Sequence, residues 1–213
     1  MKEKNAASRL LIKRIIWVFI GVIFIGMGSA FLRIAGMGND PFGCMNIGVS
    51  GLIGMSFGSY QLIVNIVLLI PMFIFMRKGI GIGTFVNMIG VGYVSDFVIF
   101  IFGKMGLSVE RIASELTFRS VFLIAGVLIM CLGIAIYMEC NLGIAPYDAL
   151  GEMIPMWTKD RIKFFAARII TDVICVLIGY MAGSVVWIAT IITAFFTGPV
   201  VSFFRRLAAP RLK

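Results

Sequence analysis

The chain has 213 residues, is 61% hydrophobic and 14% charged, contains no histidine and carries a formal net charge of +9. A soluble domain of this length needs more charge to cover its surface, and several apolar runs reach the ~20 residues that cross a bilayer, so an all-α polytopic membrane protein is expected, with the lipid bilayer as its first partner. The lack of histidine excludes His-dependent triads, His-containing zinc sites and His-ligated haem, and basic residues that gather at the chain ends and beside apolar runs, without interleaved aromatics, exclude nucleic acid.

Residues 1–14 form a basic N-terminus with Lys2, Lys4, Arg9, Lys13 and Arg14. The apolar run that follows, residues 15–36, is longer than the core of a signal peptide and is read as a retained first span. Residues 40–59 are glycine-broken and uncharged after Asp40, which suits a short re-entrant helix. A second span is expected over 60–76, closed by Arg77 and Lys78, and a third over 80–102. These make a first three-span unit, residues 15–103.

The amphiphilic stretch 104–119 reads as an extracytoplasmic linker, with Ser108 and Glu110 opening a short surface helix. The second unit, residues 120–204, holds spans at 120–140, 164–181 and 185–204, with an amphipathic segment at 146–157 between the first two. A basic tail, 205–213, closes the chain. With both termini placed in the cytoplasm, the cytoplasmic side collects 15 of the 19 Lys and Arg residues: five at the N-terminus, two at Arg77–Lys78, four around 159–168 and four in the tail. That bias predicts six spans in a bacterial cytoplasmic membrane.

The two units repeat. At a shift of 105, Gly21 and Val22 fall on Gly126 and Val127, Gly28 on Gly133, Ala30 on Ala135, Gly38 on Gly143, Pro41 on Pro146 and Phe42 on Tyr147. At a shift of 106, Thr84 falls on Thr190, Gly92 on Gly198 and Asp96 on Ser202. Glycine and proline are common in membrane helices and some matches are free, but order and spacing agree throughout. Three spans per unit make the second unit enter from the opposite face, so the expectation is two inverted repeats, each with a broken helix.

The G-x-x-P-[FY] segments, the Thr84…Gly92 and Thr190…Gly198-Pro199 pairs and the six-span length resemble the YczE/YyaS/YitT-like bacterial membrane proteins, most of all the YczE branch. The resemblance implies an integral protein of the cytoplasmic membrane and transfers no catalytic residue.

Both breaks restart at a proline suited to the first helical position. Asp40 is a good N-cap, and Asp148 lies in a first turn, where a carboxylate suits the dipole. Gly38, Asp40, Pro41, Phe42, Gly143, Pro146, Tyr147 and Asp148 are therefore the candidate substrate-binding residues. Ionisable groups inside a span default to functional hypotheses. Asp96, with no basic neighbour on its own helix, is the candidate coupling residue, while Asp172 and Arg168 are expected to pair at i,i+4. Asn65, Asn87, Thr84 and Thr190 either line a polar pathway or hydrogen-bond helices together. Arg33 and Glu139 close equivalent spans at opposite faces and are not expected to meet.

Cys44, Cys131, Cys140 and Cys175 show no metal-ligand spacing, and Gly79–Gly83 lacks the spacing of a nucleotide loop. No cofactor or metal and no enzymatic activity are expected. The leading expectation is a small secondary-type permease for an unidentified solute, proton-coupled through Asp96 and able to self-associate. The alternative is a membrane scaffold or regulatory partner that moves nothing.

Overall fold

The computed structural model describes residues 2–106 and 115–212, with side chains described over 8–106 and 115–207. Among these residues the chain forms eight α-helices and one 3-10 turn, and no strand. Six helices are long and apolar enough to cross a membrane. The expected surface helix at Ser108 and Glu110 lies outside the described residues.

Helix α1 (Lys2–Ala35) takes in the basic N-terminus and begins well before residue 15. After a five-residue break, residues 36–40, α2 (Pro41–Leu52) starts at its proline, with the Asp40 carboxylate accepting the Gly43 N–H at 3.1 Å. α3 (Phe57–Phe75) starts three residues before the expected span because Ser56 caps it, accepting the Ser59 N–H. The turn Arg77–Gly79 leads into α4 (Ile82–Lys104). The second half runs through α5 (Leu116–Glu139), α6 (Pro146–Trp157), α7 (Phe164–Met181) and α8 (Ile188–Leu212). α8 extends through the residues read as a separate basic tail.

The core is the crossing of α1 and α5. Gly28 lies against the backbone of Gly126 and Met130, and Gly21 against Gly133 and Tyr137. Rising numbers on α1 meet falling numbers on α5, so the two helices are antiparallel, and the missing side chains let their backbones touch. α4 packs along α1 and α8 along α5, filling one buried cluster from Val18 to Val201. α3 packs on α4, and α7 packs on α2 and α6. The outward faces of α3, α4, α7 and α8 are rows of exposed Ile, Val, Leu and Phe, as lipid-facing helices require.

Candidate functional site

Each break is held by the backbone of the other half. After α1, Gly38 turns the chain at φ +97°, and the Met37 carbonyl accepts the Ala189 N–H at 2.9 Å. After α5, Gly143 does the same at φ +125°, and the Leu142 carbonyl accepts the Gly83 N–H at 2.8 Å. A β-carbon at Gly38 would lie 2.5 Å from the Thr190 hydroxyl, and one at Gly143 would lie 2.5 Å from that of Thr84. Thr84 also accepts the Gly81 N–H, and Thr190 lies 3.3 Å from the Cys44 sulfur. These four residues make the clamps: the Thr84 hydroxyl caps the first turn of its own helix, and the Thr190 hydroxyl reaches Cys44 on α2.

Beyond the clamps the two short helices bring their N-termini together. Phe42 and Tyr147 stack with ring centroids 4.3 Å apart and planes 18° from parallel, over Cys175 with Val64, Leu68 and Leu150 around them. The Tyr147 hydroxyl donates to Asp172, and the Arg168 guanidinium lies 4.8 Å over the Tyr147 ring. Arg168 donates to Asp148 at 2.9 Å and stands 3.6 Å from Asp172, so the expected i,i+4 pair is present but shared with a second carboxylate. Asp40 lies in the field of all three charges. Asp40, Phe42, Tyr147, Asp148, Arg168 and Asp172, separate in sequence, form one cluster.

Asp96 is elsewhere. A basic partner comes from another helix: Arg33 donates to Asp96 at 2.8 Å and to Ser95 at 2.9 Å, with its guanidinium over the Phe57 ring. The second Asp96 oxygen accepts the Gly58 N–H, one of the orphan donors that open α3, at 2.8 Å. One carboxylate thus ties α1, α3 and α4 together beside the close approach of Gly58 and Gly92, where a β-carbon on Gly92 would lie 2.6 Å from the Gly58 Cα.

The corresponding end of the second half is not closed. Nothing lies within 4 Å of a β-carbon built on Gly198, and α7 is not packed along α8 as α3 is along α4. A shallow surface depression of about 280 Å³ lies there, lined by Glu139, Ser202, Arg205 and Arg206. Ser202 is the residue on which Asp96 falls at a shift of 106. Glu139 pairs with Arg205 at 3.2 Å, well away from Arg33.

Asn65 and Asn87 are buried on α3 and α4. Two further buried amides went unnoticed in the sequence: Asn46, on the Phe42 side of α2, and Gln61 on α3, each with a carbonyl oxygen that has no donor. Arg119 was missed as well; it donates to the carbonyls of Ala35 and Gly36 at the open end of α1. Its signal was present, since Arg14 falls on Arg119 at the same shift of 105, and Arg14 lies in the field of Cys140 just past the end of α5. Likewise Gln61 and Asn65 fall on Arg168 and Asp172 at a shift of 107.

These features define a polytopic membrane protein with two half-length helices meeting end to end inside a six-helix body. The chain belongs to the family described as "Family of unknown function (DUF6198)", whose model matches residues 12–206. It is 24% identical over 202 residues to an uncharacterized protein of Haemophilus influenzae, covering 92% of this chain and 85% of that one. It is 25% identical over 189 residues to the uncharacterized protein YyaS of Bacillus subtilis (87% and 89% covered) and 24% identical over 195 residues to the uncharacterized membrane protein YczE of the same organism (91% and 86% covered). No solved structure matches.

Proposed function

We propose that the protein is a small secondary-type permease of the bacterial cytoplasmic membrane, built of two inverted three-span repeats and working by alternating access. The observation that supports this best is the unequal closure of two matched ends. Where Asp96, Arg33 and Gly58 draw α3 onto α4, the second half has free space at Gly198, no matching packing of α7 on α8 and only a shallow depression at Ser202. In a pseudo-symmetric molecule, the state with the ends exchanged is the natural second conformation, and a ligand held between the short helices then meets each side in turn. Both termini lie in the cytoplasm in this reading, so the Ser202 end faces inward and the Asp96 end is the closed outer gate. Asp96 acts here as a gate residue whose carboxylate holds the closed state, and the protein performs no covalent chemistry.

The test requires no knowledge of the solute. In a background with the four native cysteines replaced, a membrane-impermeant maleimide labels Ser202→Cys quickly and Ser95→Cys slowly. Adding Asp96→Asn raises the Ser95→Cys rate at least tenfold and lowers the Ser202→Cys rate. If Ser95→Cys labels faster while Ser202→Cys is unchanged, the ends are not coupled and alternating access is wrong.

A further inference from the structure

We infer that the stripe of α8 from Ile191 to Arg206 is a binding site for an anionic phospholipid, its phosphate held at Ser202, Arg205 and Arg206 and an acyl chain laid over Gly198. The site is separate from the permease reading and stands whether or not the protein moves a solute.

The stripe has the proportions of a lipid. Ile191, Phe195, Gly198 and Ser202 follow one another at spacings of four, three and four, so they share one face of α8, and Arg205 and Arg206 come next on it. Ala189, Ile192, Val200 and Phe204 turn the opposite face into the core. Ile191 and Phe195 are exposed, and nothing lies within 4 Å of a β-carbon built on Gly198. The helix rises about 16 Å between Ile191 and Ser202, against about 15 Å for half of the hydrocarbon layer. The apolar part is thus as long as one leaflet is deep. Both arginines lie in the last turn of the span, which ends at Leu207, where headgroups begin.

Charge selects the headgroup. Glu139 pairs with Arg205 at 3.2 Å, while Arg206 has no acidic partner among the described residues. Two guanidinia therefore share one carboxylate, and all three line the same depression as Ser202. Guanidinium forks match the oxygens of a phosphate, and a basic pocket at the end of a span draws anionic headgroups. A zwitterionic lipid brings no net charge to offset the excess.

The first half shows the matching place filled by protein. Gly92 and Asp96 fall on Gly198 and Ser202 at a shift of 106. There α3 covers the stripe: Gly58 lies on Gly92, and Asp96 accepts from Arg33 and from the Gly58 N–H. On α8 a serine replaces the acid, the charge is carried by arginines, and α7 is not packed over them. The anion that the first half supplies as a carboxylate has to come, in the second half, from outside the chain.

The test uses the full-length protein in neutral detergent micelles, titrated with dioleoylphosphatidylglycerol, dioleoylphosphatidylcholine or inorganic phosphate and read by Tm and native mass spectrometry. Phosphatidylglycerol should raise the Tm by several degrees and be retained at least fivefold more than phosphatidylcholine. Inorganic phosphate, which has no acyl chain, should leave the Tm unchanged at the same concentration. Arg206→Gln should lower phosphatidylglycerol retention at least fivefold. Lys163→Gln removes the same charge from a residue outside the depression and should leave retention unchanged. Ser202→Asp places a carboxylate where the phosphate sits; it should reproduce the loss, and it serves alone if Arg206→Gln folds poorly.

Equal retention of the two lipids, or full retention in both Arg206→Gln and Ser202→Asp, overturns the proposal. A Tm rise with inorganic phosphate alone overturns it in favour of a free-anion site. An equal loss in Lys163→Gln overturns it too, because the lipid would then follow net charge and not this stripe.

Discussion

At the residue scale, the glycines at the two breaks are the most constrained positions. Gly38 and Gly143 sit at positive φ, and each would drive a β-carbon to 2.5 Å from a threonine hydroxyl. A left-handed backbone costs an L-residue about 1–2 kcal/mol before any clash. Gly38→Ala and Gly143→Ala should each lower the Tm by several degrees in detergent. Gly51→Ala, in a helix with open space around the site, should leave the Tm unchanged or raise it. A Gly38→Ala protein as stable as the Gly51→Ala one would mean that the clamp at Thr190 is not closed. Asp96 shows how a residue can be misjudged from its own helix. Reading i,i+4 neighbours found it no partner, yet Arg33 reaches it from 63 residues away. A carboxylate that accepts an Arg and a helix-opening N–H makes charge-assisted bonds worth about 1.5–3 kcal/mol each. Asp96→Asn should therefore cost stability as well as loosen the gate.

At the scale of the elements, Gly92 and Gly198 separate packing from motion. Gly92 is pressed against Gly58, so Gly92→Ala should be destabilising in any account of the protein. Gly198 meets nothing, and Gly198→Leu should unfold at the wild-type temperature. If α7 must close onto α8 during a cycle, that same leucine blocks closure. The expected result is an unchanged Tm with Ser202→Cys remaining open to maleimide even when Asp96→Asn is present. Labelling that still exchanges between the ends in the leucine variant would exclude closure at this seam. The short helices were legible because a proline at the first position announces a helix start, helped in α2 by the Asp40 cap. Their meeting was not, because Phe42 and Tyr147 are 105 positions apart and nothing local indicates that two N-termini face each other.

Across the whole molecule, six apolar helices and two half-length ones were readable from run length and glycine breaks. Ends of helices were read less well. α1 and α8 continue through basic residues read as tails, since Lys and Arg favour helix as much as most residues do and cost nothing outside the hydrocarbon. Of the candidate residues, Asp96, Arg168 and Asp172 were read together and Asp148 apart from them, whereas the fold joins Arg168 and Asp172 to Asp148 and leaves Asp96 at the other end with Arg33. Long-range pairing of this kind leaves its trace in the repeat offset, where Arg14 and Arg119 or Asn65 and Asp172 coincide, and not in any hydropathy window. Topology is tested at this scale too: a cysteine at Ser108 should be labelled from the side opposite to one at Ala6. Labelling of both from one side would reject the inverted arrangement.

The backbone hydrogen bond that each break makes to the other half has a consequence for biogenesis. The Met37 carbonyl finds its donor at Ala189, near the far end of the chain. In lipid, a carbonyl without a donor is costly and is not left waiting. The first half can insert its spans as it leaves the ribosome, but it cannot finish its own interior until residues 187–190 arrive. A truncation after α7 should thus be an unstable, protease-sensitive product, and the two halves expressed from separate messages should each be degraded unless the other is present. The repeat that looks like two copies of one module in the sequence is, during synthesis, a single obligate folding unit completed only by its last helix.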